Sequence, residues 1–161
     1  MKKNLTVEIA EGLGNQIFMY AFAYSISKKF DYELFIDNKS GYSKKKNLLR
    51  NHQKYMLGNF NLFGSIADNN MIYDTDFKRF KKKLKLLFDF FSKKKSFIIE
   101  KNIRINRKKF AEPFMNIDKT KINNNLYVQG NFENYNYFNK YRSQLCRILI
   151  PKKEVINENN S

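Results

Sequence analysis

Residues that crosslink a chain, bind metals or break helices are scarce in this sequence of 161 residues. It has one cysteine, one histidine, two prolines and no tryptophan. The single Cys146 excludes an intrachain disulfide framework, and its position predicts a small apolar side chain on a buried helix face. One histidine, one cysteine and scattered carboxylates lack the spacing of a metal-ligand set, so we expect no metal cofactor.

Long apolar runs are absent as well. The longest apolar stretch, residues 17–24, is far shorter than the about 20 residues that a membrane-spanning helix needs. Near the start of the chain, Glu8 and Glu11 interrupt the apolar segment that a signal peptide requires. We therefore expect a protein that is cytoplasmic, or peripheral at the inner face of the membrane.

Positive charge is abundant and unevenly placed. The formal net charge is +16, and residues 78–109 hold fourteen lysines or arginines against two acidic residues, a net +12. Three interpretations of this basic segment stay open: a solvated surface helix, a helix that contacts an anionic membrane, and a nucleic-acid surface. Nucleic acid is the least favoured partner, because no groove-reading or RNA-binding motif accompanies the charge.

Apolar periodicity predicts an α/β fold. A strand over 5–9, a helix over 15–30 and a strand over 33–37 form a βαβ unit, which implies parallel strands. The further predicted elements are a helix over 76–91, short strands over 97–100 and 126–129, and a helix over 133–150 that ends at Pro151. We predict a Rossmann-like parallel-sheet domain over 1–151, with a basic helical insert around 76–109 and a polar tail over 152–161.

The helix over 76–91 carries an apolar stripe among its lysines. Its members recur at spacings of three and four residues, which places them on one side of a helix. They are Phe77, Phe80, Leu84, Leu87 or Phe88, and Phe91. If the stripe is exposed, the helix can lie on an anionic lipid surface; if it is buried in the core, only the lysines can act.

The candidate binding element is the turn between the first strand and the first helix, where residues 11–16 read EGLGNQ. Gly12 and Gly14 can adopt positive φ and let a ligand approach the backbone, while a helix N-terminus favours anions. Asn15 is a favoured N-cap residue, and its amide, like that of Gln16, can bond a sugar or phosphate oxygen. A dinucleotide fingerprint would need a third glycine at Ile17, which disfavours an NAD site. The alternative is a tight turn whose glycines only let the helix pack on the sheet.

A second candidate lies at the end of the next strand. Asp37 would reach the same edge of a parallel sheet as the glycine turn, where ligands of such sheets bind. Its carboxylate could accept a hydrogen bond from a sugar hydroxyl. The alternative for Asp37 is a cap or a surface-loop carboxylate.

Three segments resemble one known family. Residues 12–21 read GLGNQIFMYA, residues 55–61 read YMLGNFN and residues 126–138 read LYVQGNFENYNYF. In this order and at these separations they resemble the galactoside α-1,2-fucosyltransferases, glycosyltransferase family 11. The second segment has Gly58 where the family commonly has an acidic residue.

The resemblance implies a glycosyltransferase that moves fucose from GDP-fucose to the 2-hydroxyl of a terminal galactose on a glycan acceptor, with inversion and without a metal. It implies a GT-B architecture of two Rossmann-like domains, of which this chain matches the N-terminal, acceptor-side half. Gly12, Gly14, Asn15 and Gln16 carry over as substrate-binding residues, and no catalytic residue is assigned. The residues that match the third segment are expected to shape loop and core; they are Tyr127, Gly130, Phe132, Tyr137 and Phe138.

One departure limits the resemblance. The family binds GDP-fucose through a His-x-Arg-Arg-x-Asp motif, whereas this chain has His52 as its only histidine and no Arg-Arg pair. The nearest basic substitute, Arg104 with Arg107, lacks the His and the Asp. We therefore expect a truncated form without the C-terminal donor-binding domain, which does not turn over GDP-fucose alone. The alternatives are a noncatalytic basic module that binds a membrane surface or nucleic acid, and a gene product without function.

Overall fold

A computed structural model describes residues 2–42, 53–100 and 117–152 of the protein. Within these residues the five strands are β1 (Asn4–Glu8), β2 (Glu33–Asp37), β3 (Ser65–Ile66), β4 (Lys95–Ile99) and β5 (Ile122–Gln129). The three α-helices of the same ranges are α1 (Leu13–Phe30), α2 (Asp76–Phe91) and α3 (Arg142–Ile148). Arg104, Arg107, His52 and most of the predicted tail lie outside the described residues.

The strands form one sheet in the order β3-β2-β1-β5-β4, and every neighbouring pair is parallel. The predicted βαβ unit and the α/β, Rossmann-like arrangement are therefore confirmed. From the central β1 the chain first builds β2 and β3 on one side, then returns on the other side through β4 and β5. Ligands of such sheets bind beyond the carboxyl ends of the strands where the winding direction changes, which here lies between β1 and β5.

The two faces of the sheet differ in polarity. One face carries Leu5, Val7, Leu34, Ile36 and Val128, all buried with the side chains of α1 in the hydrophobic core. Because strand side chains alternate between faces, the other face carries the intervening, mostly polar residues of the same strands. These include Asn4, Thr6, Glu8, Asp37, Asn125 and Tyr127. A parallel sheet is usually apolar on both faces, so this polar face needs an explanation.

Several sequence-based boundaries were wrong. The predicted helix over 133–150 is α-helical only in α3, and two short 3₁₀ turns at Tyr135–Tyr137 and Asn139–Tyr141 precede it. The Asn134 side chain accepts a hydrogen bond from the backbone N–H of Asn136 at 3.0 Å, and such local bonds compete with a helix. β3 was not predicted, since it is only two residues long. Cys146 is exposed rather than buried.

Within the described ranges, no helix is both long enough and apolar enough to cross a bilayer.

Candidate functional site

The turn between β1 and α1 lies at the carboxyl edge of the sheet. Here Glu11 adopts a left-handed φ of 65°, and Gly12 is extended, with φ −78° and ψ 168°, and caps α1. The predicted βα turn followed by a helix is therefore confirmed. Two details were wrong: the positive φ falls on Glu11 rather than on a glycine, and the N-cap is Gly12 rather than Asn15, which is the third helical residue.

The first turn of α1 leaves backbone donors unused. The N–H groups of Leu13, Gly14 and Asn15 have no acceptor in the described part of the chain, and the first helical bond runs from Gln16 N to Gly12 O at 3.0 Å. A Cβ atom added to Gly12 or Gly14 would meet no atom within 4 Å. Neither packing nor a positive φ therefore requires glycine at these positions. Glycine in a helix costs about 1 kcal/mol relative to alanine, and what it offers in return is room for another molecule to approach the backbone.

Gln16 serves the fold instead of a ligand. The side chain is fully buried. Its Nε2 donates to the carbonyls of Glu11 and Lys54, each at 2.8 Å, and its Oε1 accepts from Met56 N–H at 2.9 Å. Both amide hydrogens are thus used within the chain, so the predicted substrate contact by Gln16 is corrected. Its role is to join the first and second of the three family-like segments.

Glu11, Asn15 and Asn131 form a polar cluster beside the free N–H groups, which we call the crevice cluster. The Glu11 carboxylate accepts hydrogen bonds from the side-chain amides of Asn15 and of Asn131, the latter at 3.3 Å. All three side chains are partly exposed. Asn131 follows β5 and Glu11 follows β1, so the cluster bridges the two strands at which the winding direction changes. Only Asn15 was predicted from the sequence as a binding residue. Asn131 lies in the third family-like segment and Glu11 directly precedes the first, and neither was predicted to bind a ligand.

Residues of the third family-like segment shape the loop after β5 and the core beneath it, which is the role predicted for them. Phe132 is fully buried and stacks on Phe22 of α1, with ring centroids 3.9 Å apart and an angle of 7° between the rings. Tyr137 meets Phe22 edge-on at 5.3 Å, and burial raises the Tyr137 pKa to about 12. Gly130 has φ 150°, and a Cβ there would overlap the side chain of Glu100. These residues hold the loop after β5 against α1.

A buried polar network covers the carboxyl half of the polar face. Lys82 of α2 pairs with Glu8 at 3.3 Å and donates to Gln129 Oε1 at 2.8 Å. The Tyr127 hydroxyl donates to Asp37 Oδ2 at 2.7 Å and lies 3.1 Å from Glu8 Oε2. Burial, together with the negative charges of Glu8 and Asp37, raises the Tyr127 pKa well above its usual value. The network anchors α2 to the sheet by charge rather than by apolar packing.

Asp37 belongs to this network and is fully buried. Its Oδ1 also accepts from the backbone N–H groups of Lys39 and Ser40, at 3.1 and 2.9 Å. These bonds cap the 3₁₀ turn Ser40–Tyr42. The suggestion that Asp37 accepts a sugar hydroxyl is therefore corrected in favour of the capping role.

The outer side of α2 is apolar. The only buried residues of this helix are Lys82 and Asp89, whereas Phe88 and Phe91 are 73% and 79% exposed. Six of the seven large exposed apolar residues of α2 share the side of the helix opposite Lys82; they are Phe77, Phe80, Leu84, Leu87, Phe88 and Phe91, which we call the α2 stripe. Phe90, 77% exposed, lies outside this stripe. Of the two arrangements weighed for this helix, the structure shows the exposed one.

No group of three His, Cys, Asp or Glu side chains that could hold a metal ion occurs among the described residues. A scan of protein-family models, a search of curated proteins and a search of solved structures each returned no match for this chain. The fold therefore gives the class, an α/β domain with an all-parallel sheet, and the geometry of the crevice is what supports a function.

Proposed function

We propose that this chain is the acceptor-side domain of a glycosyltransferase similar to the galactoside α-1,2-fucosyltransferases, and that the crevice cluster binds a sugar. The observation that carries the proposal is that the three family-like segments come together in space. The three family-like segments are far apart in the sequence. Gln16 nevertheless joins the first to the second through its bond with Met56 N–H, and Phe18 in the first contacts Phe138 in the third, with ring centroids 5.9 Å apart. They meet at the edge of the sheet where ligands of this fold class bind.

The chemistry of the crevice suits a sugar hydroxyl better than a phosphate. The N-terminus of α1 favours negative charge, but the Glu11 carboxylate already lies there, and a second anion would be repelled. A hydroxyl can donate to that carboxylate and accept from an amide or a backbone N–H. Asn15 and Asn131 supply the amides, and Gly14 leaves the backbone accessible. The donor GDP-fucose, whose diphosphate needs positive charge, is expected to depend on a second domain.

Gly14→Ala is the sharpest test of the crevice. The added methyl meets nothing in the chain, so the free energy of unfolding should stay the same or rise by up to about 1 kcal/mol through helix propensity. Binding of lactose or N-acetyllactosamine, followed by saturation-transfer NMR, should weaken at least tenfold. Asn15→Ala and Glu11→Gln should weaken binding too, and Gly58→Ala, in the second segment but outside the crevice, should not. Wild-type binding by both Gly14→Ala and Asn15→Ala would refute the proposal.

Fucosyl transfer itself needs a separate test. We expect the purified 161-residue chain not to transfer fucose from GDP-fucose to lactose, because the His-x-Arg-Arg-x-Asp motif is missing from its sequence. Detectable transfer would contradict that expectation while supporting the family assignment. If the chain neither binds the acceptor nor transfers fucose, the rival interpretation, a noncatalytic basic module, is favoured.

We also propose that the domain works at an anionic membrane surface, with the α2 stripe as its contact. The stripe brings six exposed apolar side chains together on one side of a helix, and a contiguous exposed apolar patch marks an interaction site. Lys81 and Lys85 border the stripe on one side and Lys83 on the other, so the helix has the apolar band with basic flanks that lies in a lipid interface.

Charge decides between the candidate occupants of the stripe. Residues 76–95 hold nine lysines or arginines and two aspartates, a net +7. A second copy would bring the same lysines against these, and repulsion disfavours that arrangement. An anionic lipid surface is complementary, and each lysine near it contributes about 1 kcal/mol.

Co-sedimentation with vesicles tests the membrane contact. Vesicles that contain phosphatidylserine should bind the protein, and vesicles of phosphatidylcholine alone should bind it much less. Phe80→Glu with Phe88→Glu should abolish binding, whereas Ile66→Glu, at an exposed apolar position outside α2, should not. Binding that survives Phe80→Glu and Phe88→Glu but disappears at about 1 M salt, where the Debye length is about 3 Å, would assign it to the lysines alone. A preference for duplex DNA over vesicles would overturn the proposal.

A further inference from the structure

A groove lies between α2 and the amino-terminal half of the polar sheet face. Its cavity has a volume of about 670 Å³, within the range of small-molecule binding sites. The floor is formed by register partners on β1 and β5, Asn4 beside Asn125 and Thr6 beside Tyr127. The groove is separate from the crevice cluster, which lies beyond the carboxyl ends of the same strands and shares no lining residue with it.

The shape of the groove is built in. On one side β4 separates from β5. Lys95 pairs with Ile122 and Phe97 pairs with Tyr127, so between these two pairs β4 has advanced two residues and β5 five. On the other side α2 is fixed at both ends of its inner face. Lys82 holds it to Glu8, and Asp89 Oδ1 accepts from Ser96 N–H at 2.7 Å. The walls are therefore held by strong polar contacts, and the groove does not depend on a ligand to form.

The lining offers polar groups that the chain does not use. The side chains of Asn4, Thr6, Asn70 and Asn125 line the groove, and none of them makes a hydrogen bond within the described residues. Asn4 Oδ1 is even buried without a partner, so nothing described in the chain fixes the orientation of that amide. A polar side chain that makes no hydrogen bond within the chain can bond a ligand without first breaking an internal hydrogen bond.

The character of these groups selects the ligand. Amides and hydroxyls both donate and accept, as sugar hydroxyls do. Aromatic rings of Tyr73 and Phe97, whose centroids are 6.3 Å apart, also line the groove, and a ring face attracts the weakly positive C–H edge of a sugar. The lining has one lysine, Lys85, and one aspartate, Asp89, so it is close to neutral in a chain of net charge +16. The lining itself therefore provides no net charge that would select an anionic ligand.

We propose that this groove binds a neutral oligosaccharide. The amides of Asn4 and Asn125 bond its hydroxyls along the floor, and the Tyr73 and Phe97 rings contact its C–H faces. The proposal does not rest on the crevice cluster or on catalysis. It assigns to the polar face of the sheet a ligand that explains why amides rather than apolar side chains occupy it.

Side-chain amide signals in ¹⁵N-resolved NMR spectra test the proposal directly. Lacto-N-tetraose, a neutral oligosaccharide, titrated to about 10 mM, which saturates a site with a Kd near 1 mM, should shift the Asn4 and Asn125 amide signals. Asn125→Ala and Thr6→Val should each weaken binding about tenfold. The matched control is Asn124→Ala, the same substitution one residue earlier on β5 at a position that does not line the groove, and it should bind as the wild type does.

The outcomes separate this groove from the crevice. Shifts of Asn15 and Asn131 without shifts of Asn4 and Asn125 would overturn the groove proposal and leave the crevice proposal intact. Shifts of Asn4 and Asn125 that persist in Gly14→Ala would support the groove even if the crevice fails. Equal loss in Asn124→Ala and Asn125→Ala, or no shift of the groove amides at all, would refute the groove as an oligosaccharide site.

Discussion

α1 and α2 pack on opposite faces of one sheet and treat their apolar residues in opposite ways. α1 buries eleven of its eighteen residues, including Gln16, Ser25 and Ser27. α2 buries two of its sixteen, Lys82 and Asp89. A helix that is apolar all round is buried in a core, and α1 follows that rule. α2 has a clear apolar side, yet that side is turned to solvent.

The difference follows from the two faces of the sheet. Leu5, Val7 and Ile36 offer α1 an apolar surface, while Glu8, Asp37 and Gln129 offer α2 a polar one. α2 therefore presents its own charges inward and is left with an apolar exterior. For α1 the hydrophobic effect decides the orientation; for α2 a buried ion pair decides it. The sequence of a helix shows which of its sides is apolar, but the surface that it packs against decides which side faces the sheet.

The largest expected effect is on the α1 side. Phe22→Ala removes a fully buried ring that stacks on Phe132, and such truncations cost about 3–5 kcal/mol. Phe88→Ala, the same change on the exposed side of α2, should cost less than about 0.5 kcal/mol. Urea unfolding followed by circular dichroism measures both. Similar costs for the two variants would remove the contrast between the helices.

The next effect concerns the charge that orients α2. Lys82→Ala removes the Lys82 side of its buried ion pair with Glu8, and breaking a buried pair costs about 3 kcal/mol or more. Lys83→Ala, an exposed neighbour on the same helix, is the control and should be nearly neutral. The free energy of unfolding of the two variants decides the matter. If Lys82→Ala is no worse than Lys83→Ala, the ion pair does not hold the helix.

A smaller loss is expected at the start of α1. Gln16→Ala leaves the backbone carbonyl of Lys54 and the backbone N–H of Met56 without the hydrogen bonds that Gln16 makes to them. This loss should lower the free energy of unfolding by about 1–3 kcal/mol. Asn15→Ala removes only a partly exposed contact to Glu11 and should cost less than about 0.5 kcal/mol. Thermal melts of both variants provide the measurement. A larger loss for Asn15→Ala would mean that the crevice cluster, rather than Gln16, holds the turn.

Local patterns were enough to predict the central part of this fold. The switch from strand to helix spacing across Gly12 predicted the βα turn, and the stripe on α2 was visible as a spacing of three and four. Which side of α2 faces the sheet was not predictable, because it depends on Glu8, which lies 74 residues away in the sequence. Gln16 was predicted as a ligand contact, and Asp37 was a candidate for one beside a capping role. Amides and carboxylates bond both ligands and backbone, and only burial separates the two uses.

Only part of the crevice cluster could be predicted from the sequence. Asn15 stands in a recognisable motif, while Asn131 reaches Glu11 across 120 residues of sequence. No spacing rule joins residues so far apart. The polar face of the sheet was equally hidden, since Asn4 and Asn125 become neighbours only through the register of β1 with β5.

A pH effect is expected where the loop after β5 supports α1. Burial raises the Glu100 pKa, although the N–H groups of Phe132 and Asn131 act in the opposite direction. A raised pKa in the folded state means that the stabilising contribution of this carboxyl is present below its ordinary pKa and is lost as pH rises through the folded value. Glu100→Gln should therefore flatten the fall in stability that begins near pH 4.5, measured by urea unfolding at several pH values. An unchanged pH profile would assign the fall to other groups.

The smallest expected change in stability is the one that most sharpens the contrast between the helices. Replacing Phe80 and Phe88 together by serine removes two large apolar side chains from α2, and neither is buried. Little apolar surface returns to water on unfolding at these positions, so the free energy of unfolding should move by less than about 1 kcal/mol in total, while lipid binding should be lost. Urea unfolding and vesicle co-sedimentation on the same preparation give both quantities. A loss of several kcal/mol would show that the stripe is covered in the folded protein, and then α1 and α2 would bury their apolar sides by the same rule.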